Sequence, residues 1–149
     1  ETLFNWLGQD LTGRRCLDVF AGSGALAFEA ASRGATQVVA IESSRVAAQA
    51  IAQNQKLLDL PNLKLVSGDA FALLASTPDK FDVVFLDPPF AAGLWGSAAQ
   101  ALDRGGWLRA GALVYVESDA RGVPPLPAAW TLHREGHAGA VRYALYRRE

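Results

Sequence analysis

Leu86-Asp87-Pro88-Pro89-Phe90 closes an apolar run that starts at Phe81. Two consecutive prolines donate no backbone hydrogen bond, so a strand entering this stretch stops there and its carbonyls are held in a fixed direction. Asp87 and the Pro88 carbonyl can then form a rigid pair of acceptors, with Pro89 fixing the turn and Phe90 offering a flat face for stacking. Two acceptors beside an aromatic platform suit a planar –NH2 group held near an electrophilic carbon. The plainer reading is a proline-ended strand with a packed phenylalanine.

A second constellation lies at Asp18-Val19-Phe20-Ala21-Gly22-Ser23-Gly24-Ala25-Leu26-Ala27. Gly22 and Gly24 allow a tight strand-to-helix turn and let a ligand approach the main chain with no Cβ in the way. The spacing matches the nucleotide-binding pattern G-x-G-x-x-A, and Glu42 lies about twenty residues on, followed by Ser43. A carboxylate there accepts hydrogen bonds from ribose hydroxyls. Asp18 puts negative charge beside the turn, which favours a ligand carrying positive charge over one bringing phosphates. S-adenosylmethionine carries a sulfonium, an ammonium and a ribose. Read structurally, Asp18 is instead an acceptor for backbone N–H groups of the loop, and the two roles can coexist. Gly68-Asp69-Ala70-Phe71 supplies a third stretch. Asp69 either caps the next helix or accepts from an adenine amino group, and Phe71 packs in the core or beside that ring.

These stretches need a frame that brings them to one edge. Each follows a short apolar run: Cys16–Phe20, Val38–Glu42, Leu63–Val66 and Phe81–Leu86, with a fifth run at Leu113–Val116. Near-continuous Val, Ile, Leu and Phe marks strands buried on both faces of a parallel sheet. Helices are expected between them, from Gly24 to about Arg33 and from Val46 to Leu58. The second is expected to bury a stripe of Val46, Ala47, Ala50, Ile51, Leu57 and Leu58. After a proline-rich loop at Gly122–Pro127, Trp130–Arg134 and Val141–Tyr146 read as an antiparallel pair joined by Gly136-His137-Ala138-Gly139. Five β/α steps closed by a hairpin give an α/β open sheet of seven strands, mostly parallel. In such sheets ligands sit beyond the carboxyl ends of the strands, where the polar residues above fall.

Composition narrows the class further. The 149 residues are 50% hydrophobic and 19% charged, with 14 basic and 15 acidic side chains and a net charge of −1. That fits one globular domain and advertises no strong basic field for nucleic acid. A single cysteine excludes an internal disulfide framework, and Cys16, inside the first strand, reads as a buried apolar residue rather than a nucleophile. No His/Cys/Asp cluster has metal-ligand spacing, so no metal is expected. No apolar run approaches a membrane span and no signal-peptide pattern is present, so a cytoplasmic monomer with no membrane partner is expected. The chain has no methionine and opens on Glu1–Leu7, with Leu3, Phe4 and Leu7 at helical spacing and no cap before them. The expectation is one domain over residues 1–149 whose natural N-terminal segment is absent.

On Glu1–Leu7, Leu17–Leu26, Ser32–Ala35 and Leu86–Phe90 the chain resembles the class I S-adenosylmethionine-dependent methyltransferases. More closely, it resembles the bacterial 16S ribosomal RNA guanine-N2 methyltransferases of the RsmD type. The resemblance implies a Rossmann-like sheet and methyl transfer from S-adenosyl-L-methionine to the exocyclic N2 of a guanine in 16S ribosomal RNA. It places Asp18, Ala21, Gly22, Ser23 and Gly24 at the methionine part of the cofactor, Glu42 at the ribose, and Asp69 with Ala70 at the adenine. Phe20, Ser43 and Gly68 are implied as further cofactor-binding residues. Asp87 and Pro88 hold the base amino group, Pro89 belongs to the same catalytic element, and Phe90 stacks on the guanine. The partner it implies is 16S ribosomal RNA or an assembling small subunit. That family carries a basic RNA-contacting segment ahead of the opening helix, whereas Arg142, Arg147 and Arg148 here read mainly as solvated charge. The Asp-Pro-Pro-Phe element is shared with DNA adenine-N6 and protein glutamine methyltransferases, which stay open as alternatives. So do an NAD-binding oxidoreductase, which leaves Asp87–Phe90 without a role, and a non-catalytic RNA-binding module.

Overall fold

The computed structural model describes residues 2–87, 94–119 and 126–149. Seven strands form one sheet in the order β3-β2-β1-β4-β5-β7-β6. They are β1 (Arg15–Asp18), β2 (Gln37–Glu42), β3 (Leu63–Ser67), β4 (Phe81–Leu86), β5 (Leu108–Asp119), β6 (Trp130–Ala138) and β7 (Val141–Arg148). The first five run parallel, while β7 is antiparallel to both β5 and β6. The α/β sheet expected from the sequence is therefore present, hairpin included. β1 lies between β2 and β4, so the strand order reverses there and a crevice opens at the carboxyl ends.

Strand residues alternate between two cores. Cys16, Val83 and Phe85 pack under α1 (Thr2–Leu7), α2 (Ala25–Ser32) and α3 (Arg45–Leu58), together with Leu3, Phe4, Leu7, Ala27, Ala30 and Ile51. Leu17, Val84 and Leu86 pack on the other face with Ala70 and Leu74 of α4 (Ala70–Leu74) and Ala98, Ala99 and Leu102 of α5 (Leu94–Arg104). Burial on both faces explains why these runs read as continuous rather than alternating.

Several expectations need correction. Helix α3 buries Ala48 and Ile51, while Val46, Leu57 and Leu58 are exposed, Leu57 to 83%. The face is set by Ala48, Ile51 and half-buried Gln55, whose amide donates to the carbonyls of Leu60 and Leu63. Strand β5 is far longer than Leu113–Val116. It reaches back to Leu108 through a register shift opposite β4, with Gly111 at φ +80°, and forward to Asp119 along β7. The hairpin turns at Gly139-Ala140 rather than across Gly136–Gly139. Gly136 lies inside β6 opposite Tyr143, where a Cβ would meet the Tyr143 ring at 2.6 Å, so this glycine seats an aromatic ring. Arg142 is not solvated charge. It is 3% exposed, with Nε donating to Glu135 at 2.7 Å and Nη2 to the Tyr146 hydroxyl. Arg148 pairs with Asp103, and Arg147 is exposed as expected.

Candidate active site

A cavity of about 360 Å³ opens at the carboxyl ends of β1, β2 and β3. Asp18, Phe20, Ala21, Gly22 and Ser23 line it from the first loop, Glu42 and Ser43 from the end of β2, and Gly68, Asp69 and Ala70 from the end of β3. Asp87 closes the β4 side. Val19, Ala25, Leu26 and Ile41 also contribute wall. The sequence reading passed over them because apolar residues at strand ends and helix starts look like core. Pro88, Pro89 and Phe90 lie outside the described residues.

Gly24 is the expected ligand residue that does not reach the cavity wall. It precedes α2 at φ +85°, and a Cβ there would sit 2.9 Å from the Phe28 ring and 3.2 Å from Ile51 Cγ1. Its glycine identity serves the turn and the packing of the helix start. Gly22 differs. It has φ +58° with open space where a Cβ would point, and its N–H donates to Glu42 Oε1 at 2.7 Å. The other carboxylate oxygen of Glu42 accepts from the Ser44 N–H at 2.8 Å. Glu42 thus ties the glycine turn to the loop after β2, and it does so from the cavity wall.

Asp18 is 2% exposed. Burial, then the charges of Asp87 and Glu42, push its carboxyl up to about 7, against the opposing pull of a hydrogen bond from the Ala27 N–H. Asp18 thus accepts a backbone N–H bond and also lines the cavity. Asp87 is likewise pushed up to about 6, by burial first and the Glu117 charge second. An opposite charge placed beside these carboxyl groups would favour their ionised form. Asp69 caps α4 by accepting from the Ala72 N–H at 3.1 Å, and the Phe20 and Phe71 rings meet at 6.3 Å between centroids.

One side chain was not found from the sequence. Leu86 pairs with Val116, so Glu117 stands beside Asp87 as the next residue of the neighbouring strand. The buried Tyr115 donates its hydroxyl to Glu117 Oε2 at 2.9 Å. Cys16 is fully buried, and that burial pushes its thiol up to about 12, which removes it as a nucleophile. His133 and His137 are exposed on β6, away from the cavity. Among the described residues no helix is long and apolar enough to cross a membrane.

Residues 1–147 match the model of the family called Conserved hypothetical protein 95. The Ribosomal RNA small subunit methyltransferase D of Escherichia coli (strain K12) is 45% identical over 150 residues, covering 100% of this chain and 76% of its own length. The solved structure of the putative methyltransferase yhhF from Escherichia coli superposes with a TM-score of 0.95 at 45% identity, over 99% of this chain and 84% of that one. More distantly, the T. thermophilus 16S rRNA N2 G1207 methyltransferase RsmC, solved with AdoMet and guanosine, shares the fold with a TM-score of 0.74 at 21% identity, over 99% of this chain and 41% of that one. The chain belongs to the Conserved hypothetical protein 95 family, that of the ribosomal RNA small subunit methyltransferase D proteins, and its sheet is that of a class I methyltransferase.

Proposed function

We propose that this protein transfers a methyl group from S-adenosyl-L-methionine to the exocyclic N2 of a guanine in 16S ribosomal RNA. The observation that carries this is the placement of Asp87 on the rim of a carboxylate-lined cavity at the strand-order switch. The relatives called ribosomal RNA small subunit methyltransferase D support the substrate class.

The cavity fits the cofactor on three grounds. Asp18 is a buried carboxylate whose charge is costly until a cation sits beside it, which suits the methionine end. Glu42 lines the cavity while its backbone bonds fix its orientation, and each oxygen can accept a further bond, which suits ribose hydroxyls. The backbone at Asp69 and Ala70, with the apolar wall from Ile41, suits an adenine ring. Ser43 and Gly68 complete the rim.

S-adenosylmethionine supplies an electrophilic methyl on a positively charged sulfur. The guanine amino nitrogen is a poor nucleophile because its lone pair is delocalised into the ring. Asp87 accepts an N–H bond from that amino group and turns its lone pair toward the cavity, with the Pro88 carbonyl as second acceptor and Phe90 as stacking face. Orientation supplies most of the acceleration, without a covalent intermediate: the nitrogen–carbon bond would form as the methyl–sulfur bond breaks, the sulfur would leave as a neutral thioether and one amino proton would be lost to solvent. The base must leave any stack to reach the rim. An assembling small ribosomal subunit is the substrate form, and the bacterial cytoplasm the place of reaction.

The test incubates the protein and labelled S-adenosylmethionine with unmodified small-subunit particles, naked ribosomal RNA or duplex DNA, followed by digestion to nucleosides. N2-methylguanosine from the particles is the expected product. N6-methyladenine in DNA as the main product would refute the substrate assignment. Tight NAD binding without S-adenosylmethionine binding in equilibrium dialysis would refute the methyltransferase reading altogether.

A further inference from the structure

Strand order fixes which side of Asp87 the nucleobase must occupy. The cavity is built from the ends of β1, β2 and β3, and β5 lies on the far side of β4 from it. A base presenting one amino group to Asp87, with that group turned toward the cavity, extends its ring over the end of β5. The side chain standing there is Glu117. Phe85 and Tyr115 both face the α1 side of the sheet, so by strand alternation Asp87 and Glu117 share that face. Neighbouring strands are about 4.8 Å apart, so the two carboxylates can meet adjacent atoms along one edge of a base. Glu117 is half-buried and anchored by Tyr115, itself buried, through the 2.9 Å hydroxyl bond. Opposite it on β7 stands Tyr143, whose ring packs against Trp6 at 5.7 Å.

Guanine presents two donors side by side on its pairing edge, N1–H and N2–H. Adenine and 2-aminopurine have a lone pair at N1 instead. Resting on the guanine-N2 function proposed above, we infer that Glu117 is the residue that selects guanine, accepting the N1–H while Asp87 accepts the N2–H. A carboxylate facing an N1 lone pair repels it, so the same residue rejects bases without that hydrogen. The electrostatics agree with that placement: after burial, the charge of Glu117 is the second cause that raises Asp87, so the two carboxyl groups lie near each other. Tyr115 acts as a positioning residue, donating its hydroxyl to Glu117 Oε2.

The experiment first maps the guanosine that the wild-type protein modifies in small-subunit particles. Particles are then rebuilt with 2-aminopurine at that position, which keeps the exocyclic amino group but has no hydrogen at N1. For wild-type protein, kcat/KM on 2-aminopurine should fall roughly ten- to a hundredfold below guanine, the range for a lost hydrogen bond to a charged group. E117Q should lower turnover on guanine yet bring the two substrates within about threefold of each other, because the carboxamide can turn its NH2 toward the bare N1. A merely structural role would lower both substrates alike and leave their ratio untouched. N2-methylguanosine formation with an unchanged ratio in folded E117Q overturns the inference alone. Equal use of both bases by wild-type protein overturns it without any variant. Absence of N2-methylguanosine from the wild-type reaction overturns the proposed function and the inference together.

Discussion

The two sides of the β1/β4 switch hold their carboxylates by different means. On the side of β1, β2 and β3 the main chain does it: Gly22 and Ser44 N–H groups hold Glu42, Ala72 N–H holds Asp69 and Ala27 N–H bonds Asp18. On the β4/β5 side Asp87 and Glu117 stand next to each other as like charges, and a tyrosine hydroxyl fixes Glu117. Backbone amides set geometry before any ligand arrives. A neighbouring like charge raises the cost of ionising Asp87 beyond what burial alone does.

The sharpest way to break that contrast is Asp87→Ala. Product formation should fall by on the order of a hundredfold or more, as expected when a reacting group loses its orientation, while calorimetry finds cofactor affinity nearly unchanged. Unchanged turnover would refute the mechanism. Asp18→Asn should act on the opposite side, weakening cofactor binding roughly ten- to a hundredfold through loss of the charge that faces the cation. The same change should stabilise the cofactor-free protein at pH 8 in thermal melts, because a buried charge is gone. Glu42→Ala should weaken binding by about 1.5–3 kcal/mol, with a lower melting temperature as Gly22 and Ser44 lose their acceptor. Gly24→Ala should touch the chemistry least. It should destabilise by about 1–3 kcal/mol through the clash with Phe28 at positive φ, while the folded fraction binds cofactor normally.

Acidity offers a separate handle on the same contrast. Asp18 and Asp87 sit near 7 and 6 in the folded protein, against 3.8 ordinarily. The folded state therefore holds more protons than the unfolded one between about pH 4 and 7, so these groups make stability fall as pH rises through that window. Cofactor binding runs the other way, since a cation prefers ionised Asp18. Titration calorimetry at pH 7 in buffers of different ionisation enthalpy should show proton release on binding, and Asp18→Asn should remove it.

Asp87 was legible because prolines announce where a strand ends. Glu117 was not, since a single acid after an apolar run carries no spacing of its own. Its meaning comes from the pairing of Leu86 with Val116, a register between distant segments. Gly24 shows a different limit: a glycine pattern does not tell that a Cβ at this position would meet the Phe28 ring. Helix α3 misled because alanines and leucines surround it, and the buried face went to Ala48 and Ile51, which fit under the sheet edge. Gly136 read as a turn because nothing nearby in sequence mentions Tyr143.

The central place of β1 has a consequence for how the chain is made. Its Arg15 N–H finds the Asp82 carboxylate 67 residues later, and Leu17 lies beside Val84. At roughly 5–20 residues per second of synthesis, β1 waits about 3–13 s for the strand that covers its second edge. During that time Cys16, Leu17 and Val19, all fully buried at the end, line an open edge on the nascent chain. The strand that leads into the candidate site is thus the one that waits longest for its second neighbour.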